Sequence, residues 1–197
     1  MLGQTMATIL TTHEPFLQTR AQVLVLPVST DGNLLHPVLT RCKSLFMDNY
    51  DSYRKGAMGG ELMLGQVMLN KVPRQQTGLG VQSGQVDYIA NLMVQKFVAH
   101  NVSKRTLTRC LQALKPLVYN LMRYHGVRRL AFLGSSLLTQ HTLLEHDEYS
   151  VPPITADEIV AVWGQVFADV PKLTIEIHFA KDTPLPQKTL ENPTQNR

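Results

Sequence analysis

Small polar residues and one carboxylate follow the most apolar segment of the chain. The run V-L-V-L-P-V at residues 23–28 leads directly into Ser29, Thr30, Asp31, Gly32 and Asn33. Asp31 is the only acid in this loop, so it is the candidate general base or water-orienting group. The small residues around it expose backbone N–H groups to an anionic ligand. The alternative is structural, because Ser29, Asp31 and Asn33 also form turns and cap helices.

A second group of small residues follows another apolar segment. Gly134, Ser135 and Ser136 come directly after residues 127–133 and do not form the G-x-S-x-G motif of serine hydrolases. Ligands of open α/β sheets bind at the carboxyl ends of the strands. We therefore predict one ligand site between the loop at residues 29–33 and the loop at residues 134–136.

Motifs for metal or phosphate chemistry are mostly missing. The sequence contains no P-loop, and Gly78, Gly80 and Gly84 lack the strand and spacing of a dinucleotide fingerprint. A cluster of metal-binding residue types consists of His141, Glu145, His146, Asp147 and Glu148. Neither an H-E-x-x-H motif nor a cysteine pair supports this cluster, so a solvated loop is the better interpretation. We predict no metal and no cofactor.

The elements that must position the loops alternate between strands and helices. Apolar patterning predicts strands at residues 6–11, 22–28, 64–72, 86–94, 127–133 and 173–179, and helices at 34–55, 103–125 and 155–168. The unbroken apolar run at 22–28 suits a strand buried on both faces. Pro116 should kink or break its helix. The pattern predicts an α/β fold, with helices on both faces of a mixed sheet.

Length and composition limit the classes of protein. The chain has 197 residues and a formal net charge of +4, and its apolar runs are shorter than the about 20 residues that span a bilayer. We expect one domain at residues 1–180 and a disordered, polar tail at 181–197. Cys42 and Cys110 fall in predicted helices, which favours reduced, buried thiols and a cytoplasmic protein without a membrane partner. The basic residues either face solvent or contact nucleic acid; they are Lys104, Arg105, Arg109, Arg128 and Arg129.

Three segments of the chain resemble motifs of one family. Residues 48–53 (D-N-Y-D-S-Y) and 60–67 (G-E-L-M-L-G-Q-V) resemble the P-E-N-Y-x-x-Y and G-E-x-x-x-G-x-V motifs of antitoxin-type macrodomains, which remove ADP-ribose from DNA. Residues 87–92 resemble the Y-I-I-N-F strand of this family. Residues 103–107, with 126–132 after them, resemble its S-R-L helix and G-I-R-S-I-A strand. The likeness extends from about Thr8 to Phe179 and implies a three-layer macrodomain fold.

The resemblance also suggests ligand residues and shows where this chain departs from the family. It assigns Glu14 to the adenine amino group and His178 or Phe179 to adenine stacking; a turn and a core position are the alternatives. The N-x-V-N motif is replaced by Leu26-Pro27-Val28-Ser29, and the lysine of the G-K-G motif has no counterpart. The second phosphate loop, residues 134–139, keeps one glycine.

Three functions remain open at this point. The chain binds ADP-ribose or a related nucleotide, free or attached to nucleic acid or protein, without turnover. Alternatively, it is an ADP-ribosyl glycohydrolase in which Asp31 replaces the lost groups. The third hypothesis is a catalytically dead macro-fold protein that acts as a protein–protein interaction or structural module. We favour ADP-ribose recognition, with ADP-ribosylated DNA and a protein as further candidate partners.

Overall fold

The described residues form a six-stranded sheet with helices on both faces. The computed structural model describes residues 6–73, 86–98, 100–138 and 152–186. The strands are β1 Thr8–Thr12, β2 Val23–Ser29, β3 Val67–Lys71, β4 Tyr88–Gln95, β5 Arg129–Phe132 and β6 Thr174–His178. The helices are α1 Pro37–Leu45, α2 Met47–Met58, α3 Lys104–His125, α4 Ser135–Leu138 and α5 Ala156–Val166.

The sheet has the strand order β1-β6-β5-β2-β4-β3, and β3 is antiparallel to β4 while the other described pairs are parallel. This mixed sheet confirms the predicted fold class. All seven residues of β2 are buried, and β2 lies between β4 and β5 in the middle of the sheet. The apolar run therefore forms the expected central strand, because both of its faces are covered by helices.

Alternate residues of the central strands point into two separate cores. Val23 and Val25 belong to the core that contains the buried faces of α3 and α5. Leu24 and Leu26 belong to the opposite core, which contains α1, α2 and a 3₁₀ turn at Phe16–Gln18. The alternation follows from the two-residue period of a strand. These two cores confirm the three-layer α/β/α arrangement.

The prediction of one helix at residues 34–55 is wrong. Helix α1 begins at Pro37, which suits a first helical position because it has no N–H to leave unpaired. Phe46 then leaves the helical conformation, with φ −128° and ψ 64°, and α2 begins at the next residue. At this break the Phe46 side chain is buried in the core that also contains residues of α1 and α2.

Pro116 does not break its helix, and a kink at this position stays a prediction. Helix α3 continues from Lys104 to His125 with Pro116 inside it. A proline removes one backbone hydrogen bond of a helix. Leu114 and Val118 are buried on either side of this position, and their packing against the sheet holds the helix together.

The two cysteines are buried, as the sequence predicted. Cys42 and Cys110 are buried, form no disulfide, and have thiol pKa values that burial raises to about 12.

Within the described ranges, no helix has the length and apolar character to cross a bilayer, and no group of three metal-binding side chains occurs. The cluster at residues 141–148 lies outside the described residues. At the start of the predicted tail, Leu185 packs against the core; residues 187–197 lie outside the described part.

Candidate functional site

Five parallel strands end at one edge of the sheet. Because β1, β6, β5, β2 and β4 run in the same direction, the loops that follow them share this carboxyl edge. Glu14 follows β1, the loop at residues 29–33 follows β2, the loop at 134–136 follows β5, and Phe179 follows β6. The structure therefore brings all predicted site residues to the edge where α/β sheets bind ligands.

The Asp31 carboxylate organises the loop after β2. Its Oδ1 atom accepts hydrogen bonds from the Ser29 hydroxyl and, at 3.0 Å, from the Asn33 N–H. Its Oδ2 atom accepts from the Val98 N–H at 3.3 Å. Val98 belongs to the loop after β4, so one carboxylate joins two loops of the carboxyl edge.

These contacts fix the charge state of Asp31. Burial by itself would raise the pKa of this carboxyl group, but the hydrogen bonds from Ser29, Asn33 and Val98 outweigh burial and lower the pKa below its ordinary value of 3.8. Hydrogen bonds to the ionised form have this effect because protonation would break them. Asp31 is therefore an anion at neutral pH and a weak proton acceptor, since general bases work best with a pKa near the working pH.

Helix α2 contacts and supports the loop after β2. The buried Tyr53 hydroxyl donates a 2.6 Å hydrogen bond to the Ser29 carbonyl. Gly32 has a φ of +80°, and a Cβ atom there would lie 3.0 Å from the Ala57 Cβ. Both the left-handed backbone and this close approach favour glycine. Tyr53 therefore packs in the core and also positions the loop.

An asparagine cluster attaches α2 to the sheet. The Asn49 Oδ1 atom accepts hydrogen bonds from Asn91 Nδ2 at 2.7 Å and Asn70 Nδ2 at 2.8 Å. Asn91 lies in β4 and Asn70 in β3, so one amide oxygen connects α2 to two strands. Buried polar groups need such partners. These residues come from two of the motif-like segments and from β3, and the contacts explain their framework role.

A cleft of about 190 Å³ opens at the carboxyl edge beside β2. The described residues in its walls are Pro27, Leu35, His36, Pro37, Leu39, Gln95, Val98, Ser136 and Leu137. They come from β2, from α1 and the residues just before it, from the end of β4 and the loop after it, and from α4. Ser136 is the one predicted site residue in these walls, and the loop at residues 29–33 borders them through the Asp31–Val98 hydrogen bond.

Pro27 marks the place where the cleft begins. The Val25 carbonyl accepts from the Leu133 N–H at 3.2 Å, so residue 25 uses its backbone groups towards β5. The backbone groups of residue 27 point in the same direction as those of residue 25, because directions repeat every two residues along a strand. Strand β5 has already ended there, at Phe132, so the missing N–H of Pro27 breaks no ladder. Pro27 is therefore tolerated in a central strand, because β5 does not extend far enough to pair with it. The cleft occupies the space beyond the end of β5.

The loop after β5 is tightly packed against β6. A Cβ atom on Gly134 would lie 2.9 Å from both Ile177 Cγ2 and Phe179 Cε1, so only glycine fits without movement. The Ser136 hydroxyl donates to the Leu133 carbonyl at 2.9 Å and keeps its lone pairs as acceptors. Ser135 begins the short helix α4.

Glu14 and Phe179 lie at the β1–β6 end of the carboxyl edge. Glu14 is exposed, and its carbonyl accepts a 3.0 Å hydrogen bond from Nδ1 of the buried His178. Phe179 is only 4% exposed and belongs to the core with α3 and α5. In this conformation Phe179 has the core position that the sequence left open, and Glu14 keeps an accessible carboxylate.

His36 was missed by the sequence reasoning. It lies in the cleft wall, and its Nδ1 atom accepts a 3.3 Å hydrogen bond from the Val38 N–H as the N-cap of α1. The available signal was a polar residue directly before a proline and an apolar helical pattern. Burial lowers the pKa of His36 below its ordinary value of 6.5, so the ring is neutral at neutral pH.

The basic residues do not form one surface. Lys104 and Arg105 begin α3 near the carboxyl edge, whereas Arg128 and Arg129 lie beyond its other end. The 22 residues of α3 separate the two pairs by about 33 Å. Arg128 donates to the Met122 and Val127 carbonyls and Arg129 contacts Glu176, so these side chains have partners within the chain.

The sequence matches no protein-family profile and no curated protein. Its fold is similar to solved macrodomains. The macrodomain of Thermus aquaticus DarG has a TM-score of 0.61 and 19% identity, covering 87% of this chain and 98% of that one. The macrodomain of Mycobacterium tuberculosis DarG has a TM-score of 0.62 and 14% identity, and the match covers 87% of this chain and 97% of that one. Thermosipho africanus DarTG in complex with ADP-ribose has a TM-score of 0.64 and 16% identity, and the match covers 91% of this chain and 43% of that one. The chain therefore has a macrodomain fold.

Proposed function

We propose that this protein recognises ADP-ribose or a closely related nucleotide at the carboxyl edge of its sheet. The observation that carries the proposal is the cleft beside Pro27, between the loops after β2, β4 and β5. Support comes from the similar fold of Thermosipho africanus DarTG, which was solved with ADP-ribose. The ligand would be free ADP-ribose or ADP-ribose attached to DNA or protein, met in the cytoplasm.

The dimensions of the edge favour a ligand with two ends. Glu14 follows β1, and three strand spacings separate β1 from β2, where the cleft begins. At about 4.8 Å per spacing, this distance is about 14 Å. The Glu14 carboxylate can accept from the exocyclic amine of adenine, while the cleft takes the other end of the molecule. A dinucleotide-like compound such as ADP-ribose reaches both places, whereas a single nucleotide does not.

Binding without turnover is the favoured form of this function. Both Asp31 carboxylate oxygens already accept hydrogen bonds within the chain, and the pKa of Asp31 is lowered rather than raised towards neutrality. These properties suit a residue that shapes two loops better than a general base. The glycohydrolase alternative requires Asp31 to reach a water near the ribose. Its signature is that Asp31→Asn abolishes hydrolysis and spares binding.

Isothermal titration calorimetry with ADP-ribose tests the proposal, with NAD and ADP-ribosylated DNA in parallel. The variants are Glu14→Ala and Asp31→Asn. Asp87→Ala is the matched control, because Asp87 is exposed at the start of β4, on the opposite edge of the sheet. We expect wild type and the control to bind ADP-ribose equally, and both site variants to bind it more weakly.

Other outcomes select between the hypotheses. Binding that neither site variant changes would mean that the ligand occupies a different place. Release of ADP-ribose from the DNA by wild type, lost in Asp31→Asn, would establish the hydrolase. An absence of both binding and hydrolysis in wild type would contradict the proposal and leave the protein–protein interaction module as the remaining hypothesis.

A further inference from the structure

The N-cap of α1 fixes the tautomer of His36. An N–H group can donate only to an unprotonated ring nitrogen, and the Val38 N–H donates to His36 Nδ1 at 3.3 Å. A neutral imidazole carries one proton, so this proton is on Nε2. Nδ1 faces the helix end, and the Nε2–H group is directed away from it. His36 is one of the residues that line the cleft, and its Nε2–H is the ring N–H that the cap leaves unused.

The same helix end offers little to an anion. The start of a helix ordinarily binds phosphate through its unpaired N–H groups. In α1 the first position is Pro37, which has no N–H, and the N–H of Val38 is already bound by His36. Two of the donors that would hold a phosphate are thus missing or occupied.

The cleft walls reinforce this preference. None of the described residues in the walls is charged, and six of the nine are Pro, Leu or Val. Their polar members are His36, Gln95 and Ser136. Apolar surface with a few directed, neutral polar groups matches an uncharged group that has both C–H surface and oxygens, whereas a phosphate needs cations or several free N–H groups.

We propose that His36 is a specificity-determining residue of this cleft, and that its Nε2–H group donates a hydrogen bond to an uncharged sugar oxygen of the bound ligand. The inference rests on the proposed function and names the end of the ligand that the cleft selects. It gives His36 two tasks: Nδ1 caps α1, and Nε2 distinguishes a terminal sugar from a terminal phosphate.

Two substitutions separate these tasks. Asparagine is a strong N-cap, so His36→Asn keeps an acceptor for the Val38 N–H and removes the distant donor. Glutamine is longer, so His36→Gln restores an N–H donor near the position of Nε2. His125→Asn is the matched control, because His125 is exposed at the far end of α3. Thermal unfolding of each variant checks that the fold is intact.

The measurement is the affinity of each protein for ADP-ribose and for ADP, which lacks the terminal ribose. We expect His36→Asn to weaken ADP-ribose binding about three- to tenfold, the effect of one neutral hydrogen bond, and to leave ADP binding unchanged. His36→Gln should recover part of the loss, and His125→Asn should match wild type with both ligands.

Three results would overturn the inference while the proposed function stands. They are ADP-ribose binding by His36→Asn at wild-type strength, an equal loss for ADP and ADP-ribose in His36→Asn, and wild-type binding of ADP as tight as that of ADP-ribose. Failure of wild type to bind ADP-ribose at all is a different outcome. It refutes the proposed function, and the assignment of His36 to a sugar oxygen falls with it.

Discussion

Removal of one buried hydroxyl group should test how the loop after β2 is supported. Tyr53 is 1% exposed, and its hydroxyl donates to the Ser29 carbonyl at 2.6 Å. Burial raises the pKa of Tyr53 to about 12, so the hydroxyl is a donor throughout the physiological range. Tyr53→Phe keeps the ring in the core and deletes only this donor.

The expected cost of Tyr53→Phe follows from the burial of both partners. Ser29 is also only 1% exposed, so water cannot easily replace the lost donor. Leaving a buried acceptor unsatisfied costs about 1–3 kcal/mol. Typical domains have about 5–15 kcal/mol of unfolding free energy, so the change is readily measured.

Urea denaturation of Tyr53→Phe and of a matched control gives the measurement. The control is Tyr124→Phe, because Tyr124 is 66% exposed and the same atom is removed there. We expect the control within about 0.5 kcal/mol of wild type and Tyr53→Phe at least 1 kcal/mol below it. ADP-ribose affinity should fall in parallel, because Ser29 begins the loop that we propose to contact the ligand. Equal stability of the two variants would refute the support that we assign to this hydroxyl.

Three further predictions concern the same edge of the sheet. Asp31→Asn should lower the unfolding free energy by about 1 kcal/mol, because an amide N–H₂ cannot accept from Asn33 and Val98 on both sides; urea denaturation against wild type measures the loss. Gly134→Ala should cost about 1–3 kcal/mol by overpacking against Phe179, and a thermal melt with no shift would contradict this packing. The lowered pKa of His36 stabilises the folded state above pH 6.5, and this stabilisation should be lost as the pH falls through the folded-state pKa; His36→Asn should show a flatter stability profile in this window.

The sequence was informative wherever local pattern reports burial. The apolar run at residues 23–28 identified the central strand because a strand buried on both faces needs apolar residues at every position. The turn residues after it, and Gly134 after residues 127–133, marked strand ends and therefore the edge that carries the candidate site. Motif-like segments around Tyr53 and Asn91 indicated the macrodomain fold, which the structural similarity supports.

Tertiary structure alone decided the chemistry of the site. Asp31 was a candidate base from its position, but its three hydrogen-bonded neighbours include Val98, which is 67 residues away in the chain. His36 and Pro27 line the same cleft, which opens where β5 ends beside β2, and strand order rather than local pattern sets that place. Periodicity along a chain records which side of an element is buried. Contacts between loops depend on which strands are neighbours, and no local pattern of residues encodes that order.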